Sequence, residues 1–524
     1  MPCFPSLPVV NQLIKASLEL KRFPRFRHRL LANLAGSAWS TLMQLVCVPL
    51  YIRFLGIEAF GLIGFYLMSQ AVLQVLDLGL SPTMNREMAR YSVQPEKGDE
   101  ARDLVRTLEL GYWLIGILIS AALVAASPWV ATHWIKSGSL PVSNVREAVM
   151  LIGVLALFQW PVSFYQGGLM GLGQQVLYNG LVISFSTLSN VGAVLILWRV
   201  SPTIRAFFLW LVATSAVKTV FFVTFLWKSL RPATRPSRFD FERVRSIASF
   251  AVGMSGITAS ALVLTQSDKV ILSKVFSLRV FGYYTIAGMF GAGVVMIASS
   301  VFNAIYPRLS ALVAQGDEDA LIRLYHEATQ LMAVLILPLA AVLALFSTDI
   351  LQMWTRNADV ARHAGPIATL LVIGSVLNGL MNLPYSLQLA YGWTSIGLRI
   401  AIFLAIVFVP ATWFMATKYG AVGAASVWAA LNCVYMLIGV PLTHRRFLQG
   451  EAQRWLGEIA VPLVPVLFIV VIGRALVVAS MSQPVAISAI LLLLFCATSA
   501  AALVSSSIRR WLVSQVLRPM RPKI

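Results

Sequence analysis

Charge is scarce in this sequence, and acidic charge scarcest. Of 524 residues only 12% are Asp, Glu, Lys or Arg, against about 25% in a soluble domain. Asp and Glu number 21, Lys and Arg 41, and the net charge is +20. Apolar residues make up 58%. A soluble globular protein is therefore excluded. Long polar stretches are absent too, so no large soluble domain fits between the apolar segments. Cysteine is equally sparse. Cys3, Cys47, Cys433 and Cys496 show no CxxC or Cys/His spacing, which argues against a disulfide framework or a zinc site. In a soluble chain the basic excess would suggest nucleic acid. Here it reports on membrane topology, and no nucleic-acid partner is expected.

What is present is a series of apolar runs of about 20 residues, each long enough to cross a bilayer. They fall at 30–52, 58–81, 107–126, 147–171, 175–198, 206–228, 246–267, 280–305, 328–348, 364–388, 397–417, 421–443, 459–480 and 485–504. A segment in lipid must satisfy its own backbone hydrogen bonds, so each run reads as a helix. A β-barrel would alternate apolar and polar residues instead. The fold expected is an all-α integral membrane protein with about 14 transmembrane helices.

Sidedness follows from the basic residues. The N-terminus, the even-numbered loops and the C-terminus hold most of the Lys and Arg, so both termini are expected in the cytoplasm. The other side also carries a small basic excess. That suits either an anionic cargo or ordinary headgroup anchoring. Lys21 to Arg29 is a basic stretch ahead of an apolar run too long for a signal-peptide core, so no cleavable signal is expected. Val10, Leu13, Ile14 and Leu18 have helical spacing, and read either as an interfacial helix or as part of a disordered tail.

The chain also repeats itself at a period of about 220 residues. Phe54-Leu55-Gly56 through Phe60-Gly61 echoes Val275-Phe276-Ser277 through Phe281-Gly282. Gly98-Asp99-Glu100 echoes Gly316-Asp317-Glu318, and Pro161, Gln166 and Gly171 echo Pro384, Gln388 and Gly392. One period holds six spans, an even number, so the two copies share an orientation. This predicts an N-lobe over 30–230 and a C-lobe over 246–443, related by an axis along the membrane normal, with substrate between them. The remaining segments are an N-terminal basic, amphipathic piece (1–29), a basic linker (231–245), two appended spans (444–504) and a basic cytoplasmic tail (505–524). The equivalent loops 84–106 and 306–327 carry acidic clusters, including Asp317-Glu318-Asp319. Charges at helical spacing, such as Asp99 and Asp103, favour solvated helix pairs there over a metal or glycosyltransferase motif.

Asn33, the run Pro49-Leu50-Tyr51-Ile52-Arg53-Phe54-Leu55-Gly56, Phe60-Gly61, and Leu76-Asp77-Leu78-Gly79-Leu80-Ser81-Pro82-Thr83-Met84-Asn85-Arg86-Glu87 resemble polysaccharide exporters of the Wzx type. These are O-antigen and related lipid-linked oligosaccharide flippases of the multidrug/oligosaccharidyl-lipid/polysaccharide superfamily. The resemblance implies alternating access, an undecaprenyl-pyrophosphate-linked repeat unit as cargo, and movement from the inner to the outer leaflet of a bacterial inner membrane. It also implies a polysaccharide polymerase and a chain-length regulator nearby. The arginine-rich first span of the related lipid II flippases has no counterpart, since span one has no Arg before Arg53.

A flippase must carry a diphosphate and sugars through a wet, hydrogen-bonding and positive lumen, and it breaks no bond. No cofactor is expected beyond coupling to a proton or sodium gradient. Lys218, mid-span, is the best lumen candidate, because a charge there costs at least about 2.5–3.5 kcal/mol. Thr214 and Ser215 mark the same stripe. The competing reading is a snorkelling or paired lysine. Asn33, Ser37, Ser40 and Gln44 form a polar face suited to sugar hydroxyls or to helix packing. Gln166 and Gln388 are secondary lumen candidates. Ser249, Gly253, Gly256 and Ser260 favour packing. Arg53, Asp268 and Lys269 end spans one and seven on the outer side, as gate residues or as interface anchors. Asp77 is an inner-gate candidate, pairing with Arg86 or Arg90 or coupling to protons. Arg474 reads as snorkelling, and Pro161 and Pro384, with the glycines after them, as kinks. Tryptophans at span ends read as interface belts. Two other readings compete with the flippase: a drug or metabolite antiporter of the same superfamily, and a membrane polymerase or glycosyltransferase. Scarce central acids weigh against the first. Short outer loops without acidic pairs weigh against the second.

Overall fold

A computed structural model describes residues 24–75, 77, 79–232, 235–239, 263–476 and 482–510, with side chains from residue 36 onward except at 75, 95 and 394. The described residues are almost entirely helical. The helices are α1 (Pro24–Val75), α2 (Leu80–Ser92), α3 (Gly98–Trp129), α4 (Val142–Gly171), α5 (Gln175–Arg199), α6 (Ile204–Ser229), α7 (263–275), α8 (Leu278–Gln315), α9 (Glu318–Leu345), α10 (Ser347–Thr355), α11 (Ala358–Ala390), α12 (Thr394–Phe447), α13 (Ala452–Leu476) and α14 (Gln483–Val504).

Eleven of these are long and apolar enough to cross a membrane. Two of the eleven are bent pairs. Gly56 (φ 80°, ψ 165°) breaks α1 and Gly420 (φ 71°, ψ −159°) breaks α12. Both lie at positive φ, where a side chain would clash with the backbone. The eleven helices thus hold thirteen rods, and Gly56 and Gly420 fall between the expected first and second and the expected eleventh and twelfth spans. Helix α7 supplies the end of the expected seventh span and runs eight residues past its expected limit of 267. Most of that span, with Ser249, Gly253, Gly256 and Ser260, lies outside the described residues, as does the expected interfacial segment 9–20. The acidic loops are helix junctions, as their charge spacing implies. Asp317 caps α9, accepting from Ala320 N at 2.9 Å.

The chain divides into two compact bodies at Gly282 and Tyr283. In the first, α4 is the hub and packs on α2, α3 and α6. Its core includes Leu73, Met84, Leu108, Tyr112, Trp160, Phe164, Tyr165, Phe222 and Leu226. Helix α4 stays helical through Pro161, and two of the glycines after it, Gly167 and Gly171, pack closely against α2. A Cβ on Gly167 would stand 2.5 Å from the Ser81 carbonyl oxygen, and Gly171 abuts Asn85 and Met88. Small residues four apart let two backbones meet, as in other membrane helix pairs. Helix α11 likewise continues through Pro384.

In the second body α9 packs on α11, α13 and α14. Val342, Phe346, Val466, Val470, Ile490 and Ala497 form a core around the last two helices. Their opposite faces expose Phe468, Val471, Leu491, Leu492 and Phe495, the surface that a helix turns to lipid. Arg474 does not stand free: its guanidinium pairs with Asp349 and lies 5.1 Å over the Phe346 ring. The guanidinium is partly exposed at the span end and joins an ion pair there.

Candidate functional site

The first body holds a cavity of about 630 Å³ between α1, α4, α5 and α6. Its walls carry Ser40, Tyr66, Gln70 and Gln74 from α1, Asp77 and Ser81 from the α1–α2 junction, Gln159, Ser163 and Gln166 from α4, Ser186 and Ser189 from α5, and Lys218 from α6. Trp160, Phe185, Leu73, Val162 and Val182 complete it. Among the described residues Lys218 is its only cation and Asp77 its only acid.

Polar side chains reach one space because three helices each carry a polar stripe. Gln70, Gln74 and Asp77 follow i, i+4, i+7, as do Gln159, Ser163 and Gln166, and as do Val182, Ser186 and Ser189. That spacing marks one helix face. These stripes were the signal for Tyr66, Gln70, Gln159, Ser163, Ser186 and Ser189, which the search for single charged residues passed over.

Lys218 has no ion-pair partner among the described residues. Its ammonium lies 5.8 Å from the Phe222 ring centroid. Thr214 and Ser215, which share its stripe, are turned to packing. Thr214 bonds Ser189 at 3.3 Å, and Ser215 accepts from Gln159 Nε2 at 3.0 Å. Gln159 also pairs with the Tyr66 hydroxyl, at 2.7 and 2.9 Å. Gln70 Nε2 is buried without a partner. The cavity thus offers one free ammonium among amides and hydroxyls.

Asp77 is already engaged. Its Oδ1 accepts from the Ser81 hydroxyl at 2.7 Å, from Ser163 at 3.4 Å and from the Tyr112 hydroxyl, while Oδ2 accepts from Ser81 N at 3.1 Å. Arg86 and Arg90 flank Glu87 instead, at 2.7 and 3.4 Å. The expected pairing of Asp77 with those arginines is therefore corrected. Asp77 joins α1, α2, α3 and α4 by capping the break before α2, where Gly79 takes φ 71°. An ionised carboxylate only accepts, and every partner here donates.

The other predicted residues scatter. Ser40 lines the cavity but donates its hydroxyl to Gly36 O at 3.0 Å. Gln44 is half-buried on α1 away from the cavity lining, and the Asn33 side chain lies outside the described residues. Gln166 lines the cavity. Its repeat partner Gln388 is buried in the second body and donates to Thr443 Oγ1 at 2.7 Å. Arg53 is exposed just before the Gly56 bend. Asp268 and Lys269 sit on α7, 3.5 Å apart, with Lys269 also donating to Thr265 O at 2.9 Å. Glu109, embedded in α3, accepts from Tyr165 at 2.7 Å and from Arg106 at 3.2 Å.

A further cluster near the Gly56 bend was not foreseen. Glu58 accepts from Gly138 N at 2.6 Å, Ser139 N at 3.0 Å, Leu140 N at 3.3 Å and the Ser139 hydroxyl. Its neighbours in the same turn hold α7 and α8: Leu278 N donates to Lys136 O at 3.0 Å and Lys136 Nζ to Val275 O at 2.9 Å.

Comparison with known proteins finds two family models that match the chain. A family model described as polysaccharide biosynthesis protein matches residues 30–313, and one described as MatE matches residues 257–414. A Shigella flexneri protein assigned as an O-antigen transporter is 21% identical over 406 residues, covering 76% of this chain and 92% of that protein. Among solved structures, the lipid II flippase MurJ in an inward closed conformation superposes with a TM-score of 0.68 at 14% identity, over 92% of this chain and all of that one. An inward-facing multidrug resistance MATE family transporter of the MOP superfamily gives 0.66 at 14% identity, over 79% of this chain and 96% of that one. At such identities the structural likenesses show a shared fold.

Proposed function

Because the chain belongs to the polysaccharide biosynthesis protein family, multi-pass membrane exporters of the MOP superfamily, we propose that it flips undecaprenyl-pyrophosphate-linked oligosaccharide repeat units. The cargo moves from the inner to the outer leaflet of a bacterial inner membrane by alternating access, for O-antigen, capsule or exopolysaccharide. One observation carries this reading to the residue level: Lys218 has no ion-pair partner among the described residues and stands in a cavity whose other polar lining, apart from Asp77, is amides and hydroxyls.

A buried ammonium is retained at a cost that an anionic ligand offsets. A diphosphate supplies that anion. The Gln70, Gln74 and Gln166 amides and the Ser186 and Ser189 hydroxyls suit sugar hydroxyls, which both donate and accept. The lipid tail stays in the bilayer. No bond is broken, so no nucleophile or general acid is assigned. Both termini face the cytoplasm, and the cycle draws on a proton or sodium gradient. The polymerase and chain-length regulator of the same pathway take the product on the far side.

The test is deletion of the gene followed by mass spectrometry of lipid-linked oligosaccharides and assignment of their leaflet. Complete repeat units trapped on the cytoplasmic leaflet support the reading. Lys218→Ala should reproduce the trap at normal protein abundance, with Lys218→Arg milder. Units reaching the outer leaflet without a redundant flippase would overturn it. The MatE match over 257–414 favours a second reading, a drug or metabolite antiporter. In that case the deletion changes drug accumulation and leaves the lipid-linked pool intact.

A further inference from the structure

Within the first body, the echoing segments 54–61 and 275–282 touch each other at matching positions. Gly61 and Gly282 stand at the same place in the two copies of the repeat, as do Ile57 and Leu278. A Cβ on Gly61 would fall on the Leu278 carbonyl oxygen and lie 2.8 Å from its carbonyl carbon. A Cβ on Gly282 would lie 2.6 Å from the Ile57 carbonyl oxygen. The contact is therefore reciprocal, the pattern of a two-fold interface. Glycine at both positions lets the two helix backbones come this close. Each copy also bends just before the crossing. Gly56 breaks α1 at φ 80°, and at the equivalent place, around Ser277, α7 gives way to α8.

One loop fastens both sides of this crossing. Gly138, Ser139 and Leu140 grip the first copy, donating their backbone N–H groups to Glu58. Trp134 and Lys136 grip the second. Trp134 Nε1 donates to Ser273 Oγ at 3.0 Å, and Lys136 Nζ donates to Val275 O at 2.9 Å. Lys136 O accepts from Leu278 N at 3.0 Å, within a short parallel bridge between Lys136 and Ser277. The Lys274 ammonium lies 5.1 Å from the Trp134 ring centroid. These bonds are numerous but superficial. Lys136, Gly138 and Ser139 are exposed, so water can replace their partners and the net cost of releasing each bond is small. The crossing itself sets a glycine against a carbonyl, a weak contact with no interlocked side chains.

We propose that residues 134–140 are a strap that closes the outer mouth of the transport path, and that the strap must let go for that mouth to open. This rests on the alternating access and topology proposed above, under which Gly56 and the 134–140 loop lie on the outer side. Strapped, the rods that follow the two bends are held crossed at Gly61 and Gly282. Released, each rod turns about its own bend, and the crossing parts. A single loop holds both copies, so they are freed together. Neither Glu58 nor Lys136 is among the residues that line the cavity. The strap therefore sets access to the cavity and leaves its affinity alone.

Accessibility of the cavity wall tests this without any cargo. Ser186→Cys is placed in the full chain, with Cys3, Cys47, Cys433 and Cys496 replaced by Ser. A membrane-impermeant maleimide is applied from outside in spheroplasts and from the cytoplasmic side in inverted vesicles. Glu58→Ala frees the first copy, and Lys136→Ala frees the second. Each should speed labelling from outside about tenfold, the weight of roughly one hydrogen bond to a charged group, and slow labelling from the cytoplasmic side. A merely loosened fold would speed both. Should Glu58→Ala fail to fold, Lys136→Ala serves, because it alters only an exposed loop side chain. Unchanged labelling from outside, or a rise on both sides, would overturn the strap. No lipid-linked sugar enters this measurement, so an intact lipid-linked pool after gene deletion would overturn the cargo reading alone.

Discussion

The contact between α2 and α4 offers the sharpest test of the packing argument. A Cβ at Gly167 would lie 2.5 Å from the Ser81 carbonyl oxygen and 3.3 Å from its carbonyl carbon. Both are backbone atoms, so no rotamer change relieves the clash. The helices must part by several tenths of an ångström. Overpacking of this kind costs about 1–3 kcal/mol. Against it stands the helix preference for Ala over Gly, about 1 kcal/mol at most. The net effect of Gly167→Ala is therefore a loss of up to about 2 kcal/mol, or a few degrees of apparent melting temperature at roughly 2–4 °C per kcal/mol. Ser81 also bonds Asp77 through its N–H and its hydroxyl, so the strain falls on the α1–α2 junction that walls the cavity. Gly180 is the control, because nothing lies within 4 Å of its Cβ position. Gly180→Ala should be neutral or slightly stabilising. The assay is thermal unfolding of purified protein in detergent, followed by tryptophan fluorescence. Equal melting of the two variants would refute the close approach of α2 and α4.

Other perturbations read other contacts. Glu58→Gln puts an amide NH₂ among backbone N–H donors, which costs about 1–3 kcal/mol and should speed hydrogen exchange over 136–140; unchanged exchange there would remove Glu58 from that role. Asp103→Asn weakens the hold on Arg235, 2.5 Å away, and on Arg238 N, 2.7 Å away, so limited proteolysis at 235–239 should accelerate; an unaltered cleavage rate would count against the strap. Asp317→Ala removes the α9 cap and should cost about 1 kcal/mol, while Asp317→Asn keeps it; export persisting in both would show the acidic cluster is not chemical machinery. Cysteine placed at 98 should label only from the cytoplasm and at 138 only from outside, and the reverse pattern would invert the topology.

How much of this was legible in the sequence depends on the range of the interaction. Spans were legible because hydrocarbon imposes its rule on each segment separately, with no tertiary information needed. The bends at Gly56 and Gly420 fell where apolar runs changed over, for the same reason. Lys218 was legible as an anomaly, a charge in the wrong solvent. The pairing of Asp77 was misread because its partners Ser81, Tyr112 and Ser163 lie on three different helices. Arg86 and Arg90, near in sequence, claim Glu87 instead, and Tyr112 is 35 residues away. Pro161 was read as a kink from a residue-level rule. The glycines after it take their meaning from α2, whose backbone no local rule supplies. Yet some tertiary information was present as periodicity. Glu451, in the turn before α13, and Glu458, on α13, are seven apart, and a pair of acids in an acid-poor chain implies a donor opposite them. His326 answers that demand from more than 120 residues away. The same logic applies to the cavity. Three polar stripes at i, i+4, i+7 on separate apolar helices cannot each face lipid, so they must face one another. Read as stripes, and not as single residues, Gln70, Gln74, Gln159 and Ser163 predict a shared polar space before any coordinates are known, and Lys218 then has only one place to point.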